Sequence, residues 1–213
     1  MNVKDVKDTD SPDNVIKAIF DKQWELAQKY RNIEDMGDLL SPKSLTQNIH
    51  TANGQKWIKD FAWRVTEEIA ESEEAMEMLS TDLPSKDNDD IYLHRMEELA
   101  DALHFLTELT LIAGYDWKAI EKNVLDNINE ESDAWNVVYQ LGLMCNCLKN
   151  KPWKQTEMLT DRKKFEGYLF GAWIEFLRYF ETNLSDDADL FYELYNLYFK
   201  KNQVNHFRIR SKY

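Results

Sequence analysis

Only six glycines and four prolines interrupt 213 residues. Between them apolar side chains recur at three- and four-residue intervals, the period of a helix that buries one face. The chain therefore reads as all-α, a helical bundle formed as one domain over residues 1–213. The spacing predicts helices over about residues 13–31, 54–79, 90–113, 117–148, 161–183 and 186–202, the fourth with a break. Ser11-Pro12 and Ser41-Pro42 suit helix entries, Gly114 suits a C-terminal cap, and Leu83-Pro84-Ser85 marks a turn. Residues 32–53 read as an irregular connection holding at most a short helix. A basic tail over about 203–213 follows a core of about 13–202.

Charge narrows the partners. A net charge of −13 and a pI near 4.8 oppose nonspecific attachment to nucleic acid or to an anionic membrane, so neither is expected as a partner. Any polyanionic ligand must then meet a local basic group or a bound cation. Cys145 and Cys147 are too few for a disulfide scaffold, and two thiols without nearby Cys or His make no tetrahedral site; they read as buried apolar residues. The opening stretch MNVKDVKDTDSPDN has no apolar signal core, and no segment approaches a bilayer span, so a soluble, cytoplasmic protein is expected. There is no glycine-rich phosphate loop and no internal repeat.

Acidic residues crowd two predicted helices, WRVTEEIAESEEAMEML at 63–79 and HRMEELADALHFL at 94–106. Glu67, Glu73, Glu74 and Glu77 read as a solvated face. Glu68 and Glu71 stand three apart, as do Glu98 and Asp101, so each pair points from one helix face. Positions 71 and 98 share the midpoint 84.5 with positions 68 and 101, inside the expected turn. In an antiparallel hairpin Glu71 then lies level with Glu98, and Glu68 with Asp101. Phe61, Arg64, Ala75 and Phe105 share these faces, a poor setting for carboxylates that merely meet water. Four such groups repel one another unless a cation sits among them. Oxygen-only ligands without a Glu-x-x-His suit Mg2+, with Mn2+ as a substitute, better than zinc or a di-iron centre.

Glu68-x-x-Glu71 followed by Glu98-x-x-Asp101 is similar to the magnesium motif of the all-α NTP pyrophosphatase superfamily, and ELADALHF at 98–105 resembles its dimeric dUTPase branch. LKNKPWKQT at 148–156 is similar to a basic segment of that branch. YFKKNQVNHFR at 198–208 resembles its C-terminal phosphate- and sugar-binding segment. The resemblance implies Mg2+-dependent hydrolysis of dUTP to dUMP and pyrophosphate by a homodimer. It implies that Glu68, Glu71, Glu98 and Asp101 bind metal and act in catalysis, Glu71 or a neighbour taking a proton from the attacking water. Gln23, His104 and Phe105 would meet the base, Lys154, Lys201 and Arg208 the phosphates, and Asn205 would orient the nucleotide. Trp153 would anchor a loop near it. Trp63, Trp117, Trp135 and Trp173 are expected in the core or a dimer interface. Two rivals stay open: the same hydrolysis of dCTP or of a modified or purine nucleotide, and a non-catalytic helical module whose acidic face binds a protein.

Overall fold

A computed structural model describes residues 1–80, 82–128, 130–148 and 160–212. Among the described residues the chain is all-α and has no strand. Its helices are α1 (Val15–Tyr30), α2 (Pro42–Leu45), α3 (Ala52–Met78), α4 (Ser85–Ile112), α5 (Trp117–Asn123), α6 (Ala134–Cys147), α7 (Arg162–Thr182) and α8 (Leu190–Ser211). None is long and apolar enough to cross a membrane.

Helix starts follow small polar residues whose side chains accept an otherwise unpaired backbone N–H. Asn14, Thr51, Asp116, Asp133, Asp161 and Asp189 cap α1, α3, α5, α6, α7 and α8 in this way. The first helix accordingly starts after Asn14 rather than at Ser11-Pro12, while Ser41-Pro42 does open the short α2. The expected break in the fourth predicted helix separates α5 from α6, where Asp133 caps a fresh start. The last helix overruns its predicted end at 202. No glycine or proline stops it, and it continues through the basic segment to Ser211, ending where Lys212 turns left-handed at φ 54°. At the end of α4, Gly114 has φ 87°, its N–H bonds to Leu111 O, and Tyr115 N–H bonds to Thr110 O. This pair of bonds is the Schellman arrangement.

The fold centres on α4. It pairs antiparallel with α3 and also touches α1, α7 and α8. From Glu98 to Ile112 every residue of α4 is buried except Asp101 and Phe105, which are only half-buried. Leu99, Leu103, Leu106, Leu109 and Ile112 supply its part of a single apolar cluster. A second hairpin, α6 with α7, packs on α3 through α6 and adds Phe165, Trp173, Phe176 and Phe180 to that cluster. The Trp173 indole N–H reaches Thr110 Oγ1 at 2.8 Å, so the largest core side chain leaves no polar atom unpaired. The connection from α1 to α3 is tied down by the buried Asn48, whose amide donates to Leu39 O and to Ile112 O, each at 2.9 Å. Of the tryptophans, Trp173 is core and Trp117 half-buried, whereas Trp63 and Trp135 are 62% and 68% exposed. Cys147 is buried and Cys145 half-buried.

Candidate functional site

The α3–α4 register brings acidic side chains face to face. Arg95 of α4 meets Glu73 of α3 at 3.4 Å, and nearer the middle of the pair one carboxylate oxygen each from Glu68, Glu98 and Asp101 lies within 4.8 Å of the others. Three of the four expected carboxylates thus come together. Glu71, one turn along α3, is exposed and stands outside the three, close enough to act on Glu68 by charge alone. Glu68 faces both acids of α4, and the contact of Arg95 with Glu73 lies close to the expected register.

The crowding changes the acids. Burial, a hydrogen bond with Glu98 and the charges of Asp101, Glu98 and Glu71 push the Glu68 carboxyl up to about 8. Asp101 is raised by burial, against the opposing pull of Lys201, whose Nζ sits 2.6 Å from Asp101 Oδ2. His94 Nδ1 lies 3.0 Å from Glu98 Oε1. Three hard oxygen donors converge on one point, with Lys201 at their edge. That donor set fits Mg2+ or Mn2+ and offers zinc no nitrogen or sulfur ligand within the cluster.

A cavity of about 210 Å³ opens beside Asp101 and runs along α4 to Glu108. Seven residues of helix rise make it roughly 10 Å long. Gln23, His104, Phe105, Asn205 and Arg208, all expected to contact a nucleotide, line it, from α1, α4 and α8. Lys201 adjoins it through Asp101. Lys154 and Trp153 lie outside the described residues. Arg64 also lines the cavity, but it is engaged: it grips Glu34 at 2.7 and 3.1 Å, pairs with Asp60, and stacks over Phe61 and Phe105. A larger groove of about 480 Å³ between α6 and α7, lined by Gln140, Gly171 and Arg178, is open to solvent and holds no cluster of carboxylates among the described residues.

At the inner end sits a buried polar network. Gln23 Nε2 donates to Glu108 Oε2 at 2.7 Å, and Gln23 Oε1 accepts from Tyr198 OH at 2.9 Å and from His104 Nδ1 at 2.6 Å. The His104 ring stacks on Tyr198, with centroids 4.2 Å apart. Burial, with Lys201 nearby, pulls His104 down to about 3, so the imidazole is neutral and its proton sits on Nδ1. Burial pushes Glu108 up to about 8. His104 Nε2 and Glu108 Oε1 are buried without a hydrogen-bond partner among the described residues. Sequence reasoning passed over Glu108. The available signal was a lone acid inside the apolar run LTELTLI, two turns from Asp101 on the same helix face.

Comparison of the chain with family models, with characterised proteins and with solved structures gives no match.

Proposed function

We propose that the protein is a divalent-metal-dependent pyrophosphohydrolase that cleaves a deoxynucleoside triphosphate to the monophosphate and pyrophosphate. The observation that carries this reading is one juxtaposition. Asp101 belongs both to the cluster with Glu68 and Glu98 and to the lining of a cavity shared with Gln23, His104, Phe105, Asn205 and Arg208. Carboxylates alone would repel a triphosphate, and Lys201 is already paired with Asp101. Glu68, Glu98 and Asp101 would hold Mg2+ or Mn2+. When bound, such an ion polarises phosphoryl oxygens and acidifies a water.

The chain's own groups account for the rest. Arg208 stands exposed at the cavity wall, where a charge-assisted contact to a phosphate completes the binding of the polyanion. Glu71, outside the cluster and solvated, can take a proton from the attacking water. Asn205, on α8 between Lys201 and Arg208, can orient the sugar. Phe105 and His104 supply flat faces for a base. The sequence resemblance makes dUTP the expected substrate, and it makes a homodimer the expected assembly, for which exposed Trp63 and Trp135 offer apolar surface.

Calorimetric titration with Mg2+ and a nonhydrolysable dNTP analogue tests the proposal. Nucleotide binding that tightens with Mg2+ and is lost in Asp101→Asn is the expected result. Nucleotide-independent behaviour would favour the non-catalytic module.

A further inference from the structure

Carboxylates packed together need positive charge beside them, and a buried charge that loses its partner is strongly destabilising. Of the basic side chains that touch the cluster, His94 is 57% exposed along its side chain and is a cation only when protonated, whereas Lys201 is 5% exposed. Lys201 stands in the middle of α8, between the buried Tyr198 and Asn202, and its Nζ lies 2.6 Å from Asp101 Oδ2. It does not line the cavity, whereas Arg208, two turns further along α8, does. To reach a phosphate there, the Lys201 ammonium would have to abandon Asp101 inside the protein.

We infer that Lys201 is the built-in counter-cation of the metal-free centre: it holds Asp101 to α8 and, by its charge, weakens the binding of a divalent ion to Glu68, Glu98 and Asp101. This rests on reading those three carboxylates as the metal site of the proposed hydrolase. The ion pair then has two effects of opposite sign. Without metal it offsets part of the clustered negative charge and ties α8, which carries Asn205 and Arg208, to α4. With metal, the ammonium and the ion share one carboxylate, and like charges repel strongly where little water screens them. A role confined to packing predicts the first effect alone. A role in holding Asp101 ready for the ion predicts that losing Lys201 weakens metal binding. The counter-cation instead keeps the centre folded when empty and the ion only loosely held.

The test uses Mn2+ as the probe, without nucleotide, and follows the free ion by electron paramagnetic resonance, counting only the site that Glu98→Gln removes. Wild type, Lys201→Gln and Lys201→Met are compared, with melting curves in chelator and in Mn2+. Both Lys201 variants should melt below the wild type without metal, bind Mn2+ about tenfold or more tightly, and gain more in melting temperature from it. Lys201→Gln keeps a hydrogen-bond donor for Asp101, so tightening there comes from the lost charge. Mn2+ held by the wild type and equally or more weakly by Lys201→Gln overturns the inference and leaves the metal reading standing. No such site in the wild type or in either variant removes both. A Lys201→Gln chain that folds only with Mn2+ supports the inference, and one that Mn2+ cannot fold overturns it.

Discussion

Asp101 and Glu108 lie on one face of α4, yet their surroundings differ. Asp101 has Lys201 against it, whereas Glu108 bonds to the Gln23 amide inside the protein, with the charges of Glu34 and Arg64 acting on it in opposite directions. Burial raises the Glu108 carboxyl from an ordinary value of 4.5 to about 8. Between those values the folded chain holds a proton that the unfolded chain has released. The stability this contributes is complete below about 4.5 and is lost as pH rises through about 8. Glu108→Gln cannot titrate. Urea unfolding at pH 5.5, 7 and 8 should therefore show the wild type losing stability relative to Glu108→Gln, by up to about 1.4 kcal/mol per pH unit. Parallel curves would mean that Glu108 is not held neutral. At this scale much of the site could be read in the sequence, because the segments holding Gln23, His104, Phe105, Asn205 and Arg208 carried a resemblance to act on. Glu108 belonged to none of them, and an acid on a helix reads as solvated until the packing around it is seen.

The helices themselves were legible wherever local chemistry decides. Apolar periodicity located the long ones, and Gly114 ends α4 as its position suggested. Boundaries failed where two signals competed. Ser11-Pro12 looked like a start, but Asn14 has the side chain that caps Lys17 N–H. The basic stretch after residue 202 looked like a tail, yet nothing in it breaks a helix, and Val204 is buried as α8 continues. Asn205 and Arg208 therefore reach the cavity from a rigid helix rather than from a loop. Gly114 gives a sharp test of the end of α4. A Cβ there would stand 2.6 Å from Leu45 O, on a backbone already at φ 87°. Gly114→Ala should cost about 2 kcal/mol or more in urea unfolding, from the left-handed conformation together with the clash. A change within about 0.5 kcal/mol, ordinary for a neutral surface site, would show that the turn relaxes freely.

For the whole molecule, the site is a product of long-range packing. The cavity draws residues from α1, α3, α4 and α8. Only the α3–α4 register could be read beforehand, from positions symmetric about a short turn. How α1 and α8 lie on α4 depends on side chains far apart in sequence, such as Gln23, His104 and Tyr198, which periodicity cannot pair. The proposed homodimer is checked by light scattering at micromolar concentration. It should give about twice the 25.3 kDa chain mass, and a clean monomer would remove that part of the proposal.

The central claim is that three carboxylates and the adjoining cavity form one centre for phosphoanhydride cleavage. The most direct measurement is phosphorus NMR of a deoxynucleoside triphosphate incubated with the protein and Mg2+, beside Glu98→Gln under the same conditions. The account predicts monophosphate and pyrophosphate in equal amounts from the wild type. With Glu98→Gln the rate should fall by roughly a hundredfold or more, as for loss of an essential charged group. Unchanged triphosphate with the wild type, release of orthophosphate instead, or full activity in Glu98→Gln would contradict it.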